Sequence, residues 1–214
     1  GNIIAVSDGV KQITYVYDKL GQLIRANDPH DATAGSSGTT WVYAYDLGGN
    51  ILSKKAYAYT TGTLGAAVHT DTYTYGDANW PDLLTAFNGK SITYDAIGNP
   101  LSDGTWTYAW QHGRQLASMS KTGSSITYGY NADGKRISKT ANGTTYSYSY
   151  LGDQLTEMTW GSNKLHFTYD SIGPASVTYN GTTYLYVKNA QGDVVQIVDG
   201  NGNTVVTYIY DAWG

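Results

Sequence analysis

Five aspartates in this chain share one setting, a tyrosine before and a glycine three residues after: Tyr17-Asp18 with Gly21, Tyr45-Asp46 with Gly49, Tyr94-Asp95 with Gly98, Tyr169-Asp170 with Gly173, and Tyr210-Asp211 with Gly214. Asparagine takes the aspartate's place in Tyr130-Asn131 with Gly134, and in Asn189 with Gly192. A carboxylate beside a phenol could move protons or hold a cation. Catalysis, however, needs unlike groups converging on one point, and each of these aspartates occupies the same place in its own unit. The pattern reads instead as a turn. Asp or Asn hydrogen-bonds the backbone two or so residues on, and Gly three residues later takes the positive φ that closes the reversal.

The remaining groups with chemical potential are scattered. His30, His69, His112 and His166 show no metal-ligand spacing. Asp199-Gly200-Asn201-Gly202-Asn203 opens like a calcium loop, but Thr204 stands where that loop needs glycine and Tyr210 where it needs a bidentate acid. It reads as a hairpin turn. Asn27-Asp28-Pro29-His30-Asp31 is a proline turn, and the sequons Asn142-Gly143-Thr144 and Asn180-Gly181-Thr182 double as hairpin tips. No catalytic residue, metal site or cofactor is expected.

The elements that carry the turns are strands. Tyrosines recur at alternate positions before each turn (Tyr15 and Tyr17, Tyr43 and Tyr45, Tyr128 and Tyr130, Tyr208 and Tyr210), so each pair shares one face of a strand. An apolar residue such as Leu23, Ile51, Leu101, Ile137 or Val195 opens the returning strand. A second set of turns, Asp103-Gly104, Asn142-Gly143, Asn180-Gly181 and Asp199-Gly200, is of the kind that favours tight primed hairpins. From Asp95 the two kinds alternate at about ten-residue spacing, which predicts a meander of short strands. Residues 91–214 are therefore expected to be nearly continuous antiparallel sheet. Residues 1–90 hold the same unit less regularly, with long polar loops at Asn27 to Thr40 and Thr60 to Thr70. The whole is one repeat domain, each unit stacking on its neighbours to bury what it cannot bury alone.

Composition narrows the function classes. Twenty-one tyrosines and 26 glycines against two phenylalanines do not describe an ordinary aliphatic core. Tyrosine suits a sheet whose covered face is only partly dry. A net charge of −4 with no clustered Lys and Arg argues against nucleic acid. No apolar run has the length of a membrane span, and no cysteine is present for disulfide or thiolate chemistry. The rows Trp106, Tyr108, Trp110 and Tyr146, Tyr148, Tyr150 each lie along one face of a strand and could stack against sugar rings or a bound chain; cross-strand packing is the plainer use.

These Tyr-Asp units resemble the YD repeats of the RHS superfamily, which includes bacterial Rhs and wall-associated polymorphic toxins, shell components of Tc toxins, and teneurins. The stretch Val187-Lys188-Asn189-Ala190-Gln191-Gly192-Asp193-Val194-Val195, followed by Tyr208-Ile209-Tyr210-Asp211-Ala212-Trp213-Gly214, resembles the opening of the RHS-associated core, and Trp110-Gln111-His112-Gly113-Arg114 resembles Gram-positive copies. The resemblance implies an all-β ribbon of antiparallel hairpins, a segment of a shell that encapsulates and helps deliver a C-terminal effector. The implied partners are the rest of the same large polypeptide and its enclosed effector, and the implied location is secreted or on the surface of a Gram-positive bacterium. Closed shells of the family use many more residues, and the family's Asp-Pro cleavage motif follows beyond this stretch. Adhesion to glycans through the aromatic rows, or self-association into fibres through open edge strands, are the alternatives.

Overall fold

The computed structural model describes residues 1–211, and every regular element among them is a strand. The first sheet comprises β1 (Ala5–Ser7), β2 (Gln12–Tyr17), β3 (Leu23–Asp28), β4 (Thr39–Tyr45), β5 (Ile51–Ala58), β6 (His69–Tyr75), β7 (Leu84–Phe87) and β8 (Lys90–Ser91). The second comprises β9 (Thr93–Tyr94), β10 (Pro100–Ser102), β11 (Thr107–Gln111), β12 (Gln115–Lys121), β13 (Ser124–Tyr130), β14 (Arg136–Ala141), β15 (Thr144–Leu151), β16 (Gln154–Trp160), β17 (Asn163–Asp170), β18 (Gly173–Tyr179), β19 (Thr182–Lys188), β20 (Val194–Val198) and β21 (Thr204–Thr207). In both sheets each strand pairs with the next in sequence. The described residues divide into two compact units, residues 1–93 with 209–211, and residues 94–208.

Period-two patterning makes the two faces of the second sheet chemically different. In β15, Tyr146, Tyr148 and Tyr150 are half-buried while Thr145, Ser147 and Ser149 are exposed. Registers such as Tyr128 opposite Lys139, Lys139 opposite Tyr146, and Tyr146 opposite Trp160 carry the aromatic face from strand to strand. Neighbouring rings pack upon one another, Tyr146 with Trp160 at 5.8 Å and Trp160 stacked on Tyr179 at 6.1 Å. The opposite face carries hydroxyl pairs, Thr140 with Thr145 and Thr178 with Thr183, both at 2.9 Å.

The first unit departs from the expectation of an only partly dry sheet. Across β2 to β5 the register runs Tyr15, Ala26, Trp41, Ala56. An alanine on either side leaves room for the indole, and Leu23, Ala26, Trp41, Tyr43 and Ala56 form a buried cluster. The polar excursions close over the sheet. Trp41 donates its Nε1–H to Asp31, and Thr39, wholly buried, donates to the Asp31 carbonyl. On the alternate positions Thr40 and Arg25 donate to the Thr60 carbonyl. Gly38, at φ +112°, lets the first excursion return: a Cβ there would stand 2.6 Å from the Asp28 carbonyl oxygen. A further connection, residues 76–83 between β6 and β7, is longer than the repeat predicts.

Candidate functional site: the repeat turns and aromatic rows

The turn geometry recurs with small variation. At Asp95 the carboxylate Oδ1 accepts the N–H groups of Ile97 (3.0 Å) and Asn99 (2.9 Å), while Gly98 N–H donates to the Asp95 carbonyl. Asp18 accepts from Leu20 and Gln22, Asp46 from Gly48 and Asn50, Asn131 from Asp133 and Lys135, and Asn189 from Gln191 and Asp193. Gly21, Gly49, Gly98, Gly134 and Gly192 all take positive φ. The fifth residue adds a bond that the sequence reading did not single out: Asn50 and Asn99 each donate Nδ2–H to the second oxygen of the aspartate four residues back. At Asp46 and Asp95 these donors hold the carboxylate below the usual range, led at Asp46 by the Asn50 side chain and at Asp95 by the Asn99 N–H.

Asp199 corrects one expectation. It does not begin a two-residue primed turn but a five-residue turn of the first kind, with Asp199 N–H donating to Asn203 O and Oδ1 accepting from Asn201 and Asn203. Gly202, three residues after the aspartate, has the positive φ and Asn203 the fifth-position amide, so Asp-x-x-Gly-Asn prevails over Asp-Gly. By contrast Asn142-Gly143 and Asn180-Gly181 have positive φ at both central residues, as type I′ requires, and so do Asn88-Gly89.

The tyrosine before each turn marks a β-bulge. Register slips by one residue at Tyr17, Tyr45, Tyr75, Trp110, Tyr130, Tyr150, Tyr169 and Lys188, with the extra residue on the returning strand each time. A bulge breaks the ladder and leaves a carbonyl wanting a donor. The ring side chain one hairpin on supplies it. Tyr130 OH donates to Leu116 O, Tyr150 OH to Arg136 O and Tyr169 OH to Leu155 O, always fourteen residues back, and Trp110 Nε1–H donates to Pro100 O. Tyr45 and Tyr75 do the same across the first sheet, to Leu23 O and Ile51 O.

The opposite rim is stapled differently. Asn88, Asn142 and Asn180 each donate backbone N–H to the carbonyl, and accept through Oδ1 the N–H, of a single residue on the neighbouring hairpin: Thr72, Ser125 and Lys164. Each asparagine thus extends the ladder by one step.

Cations already sit over the second aromatic row and over Trp106 of the first. Lys121 sits 4.6 Å above the Trp106 ring, Lys139 4.7 Å above Tyr146, Lys135 5.8 Å above Tyr150, and Arg136 lies between Tyr128 (5.7 Å) and Tyr148 (5.1 Å). Tyr108 OH donates to Asp103 at 2.6 Å; burial first, then this carboxylate, pushes the phenol up to about 12. Tyr94 is half-buried, and burial raises its phenol too. Asp211 pairs with Lys54 of β5 at 3.0 Å, Tyr210 lies outside any strand, and Gly214 lies outside the described residues. No cluster of three metal-ligating side chains exists among the described residues.

Comparison with known proteins gives this geometry its relatives. A family model described as Teneurin YD-shell matches residues 2–214. The chain is 37% identical over 206 residues to the tRNA3(Ser)-specific nuclease WapA of Bacillus spizizenii and 36% identical to the tRNA nuclease WapA of Bacillus subtilis, covering 92% of itself and 8% of each. It therefore spans less than a tenth of the length of these curated relatives. Among solved structures it resembles the crystal structure of TcdB2-TccC3-Cdc42 with a TM-score of 0.55 at 15% identity, and the Photorhabdus luminescens Tc holotoxin pore with 0.54 at 16%; each likeness covers 95% of this chain and 12% of the other.

Proposed function

This chain belongs to the teneurin YD-shell family, and we propose from that membership that it is a stretch of wall in a large secreted or surface protein of a Gram-positive bacterium, enclosing and helping to deliver a C-terminal effector. The observation that carries the reading is the family match from residue 2 to residue 214. The fold supports it physically. Strands paired in chain order make a sheet that lengthens without changing its rule of assembly, and staples on both rims hold successive hairpins together. The wall role asks for binding and exclusion rather than bond-breaking. A tyrosine-lined face grips an enclosed chain less tightly than an aliphatic one would, because each ring carries a polar hydroxyl.

The glycan reading is not favoured, since the ring faces of the second row are already taken by Lys139, Arg136 and Lys135. The test is protease digestion of the long natural polypeptide. Segments downstream of this stretch should survive while the wall is intact and be cut when Tyr148→Pro breaks β15. Equal cleavage in both proteins would end the proposal.

A further inference from the structure

We infer that the aromatic face of β12 to β15 is a docking surface for an extended acidic polypeptide segment. Every charged residue within strands β12 to β15 is a cation, while the turn carboxylates Asp103 and Asp153 are taken up by Tyr108 and Lys135 at the margins of the face. Lys121, Arg136 and Lys139 all project from it, Lys139 because it stands in register between Tyr128 and Tyr146, and the other two because each lies over a ring of the same face. The carboxylates within the strands of this sheet, Glu157 and Asp170, fall on alternate positions: Glu157 pairs with Ser149 and His166, away from the tyrosines, and Asp170 closes β17 next to Tyr169. None of the three cations has a carboxylate partner among the described residues, whereas Lys54 in the first unit pairs with Asp211, and Lys135, Lys164 and Lys188 have Asp153, Glu157 and Asp170.

Seating on a ring holds each cation without neutralising it. The guanidinium of Arg136, exposed and held between two phenols, keeps donors free for a planar carboxylate. Lys121 stands opposite Ser124 while Lys139 and Arg136 stand opposite Tyr128 and Tyr130, so the cations of β12 and β14 run diagonally over the face, roughly 16 Å or more apart at their backbones. An extended chain presents same-side carboxylates about 7 Å and about 14 Å apart, so one segment lying along that diagonal can meet both. The inference rests on the wall reading for the occupant being an extended chain, and adds its charge.

The experiment uses the full 214-residue chain and fluorescent unstructured Glu-Gly-Ser and Lys-Gly-Ser peptides, with polygalacturonate as a non-peptide polyanion. Anisotropy should rise with the acidic peptide and not with the basic one. Affinity should fall roughly tenfold on moving from low to physiological ionic strength. The combined variant K121Q, R136Q and K139Q should lose binding, while Lys164→Gln on the other face should keep it. Lys121→Gln alone, at an exposed end of β12, should weaken binding severalfold and serves if the triple variant does not fold. Equal binding of both peptides, retention by the variants, or binding of polygalacturonate alone would overturn the inference. The protease test of the wall does not depend on charge, so either idea can fail without the other.

Discussion

The first unit has an interior and the second does not. Both are sequential antiparallel sheets with tyrosines on one face and bulged turns on one rim, yet the first buries Trp41 between two alanines while the second buries little beyond Val177, Ser176 and Asn99. The difference arises at the rim opposite the bulges. There the second unit turns tightly, as at Asn142-Gly143 and Asn180-Gly181, and the first instead sends out residues 29–38 and 59–68. Those connections fold back, with Asp31 and Thr60 receiving the polar groups that burial would otherwise strand. A repeat sheet thus acquires a core by lengthening its turns rather than by changing its strands.

The sharpest way to break that comparison is a pair of truncations. Trp41→Ala should cost about 3–5 kcal/mol, the price of a large cavity between Ala26 and Ala56. Tyr148→Ala, on a half-buried ring with the Arg136 guanidinium above it, should cost about 1–2 kcal/mol. Denaturant melts of the two variants decide it, and equal losses would mean that the second sheet has a hidden core.

Next in size are the staples, which the two units share. Tyr130→Phe removes one hydroxyl and leaves the bulge carbonyl of Leu116 without its donor; the expected loss is about 1 kcal/mol. If hydrogen exchange near Leu116 were unchanged, the tyrosine would be a packing residue and nothing more.

How much of this was readable beforehand varies with range. Strand alternation and the Asp-x-x-Gly turns are local, and the all-β antiparallel fold follows from them. The fifth-position asparagines were visible as Asn50, Asn99 and Asn203 but carried no separate signal until their distance to the carboxylate was known. The bulges were not readable, because a one-residue slip depends on pairing between strands rather than on either strand alone. The staples of Tyr130, Tyr150 and Tyr169 left a trace, a shared separation of fourteen residues, that makes sense only with the bulge in place. Least legible was the core of the first unit, since its lids are the most polar and glycine-rich stretches of the chain, the composition of an open loop.

The smallest effect concerns the one turn where the repeat is altered twice. At Asp170 the fifth residue is Pro174, which has no N–H, so the carboxylate accepts only Ile172 N–H from its own turn. One hairpin on, the tyrosine position is filled by Lys188, whose nearly buried ammonium lies 3.4 Å from Asp170 Oδ1 and 3.4 Å from Ile172 O. The lysine does both jobs: it donates to a carbonyl near the turn, as the tyrosines do, and replaces the missing amide at the carboxylate. The Ile172 N–H first, and Lys188 after it, hold Asp170 below its ordinary value of 3.8. A carboxyl depressed by folding stabilises the native state above the unfolded value and loses that contribution as pH falls through the folded one. Lys188→Met should therefore move the Asp170 titration up toward 3.8, read by carbon NMR, and leave Asp46, Asp95 and Asp199 where their own turn amides and asparagines hold them. A shift shared by all four would mean a general change of field, and no shift at Asp170 would mean that the turn amide alone sets it and the lysine serves the carbonyl only.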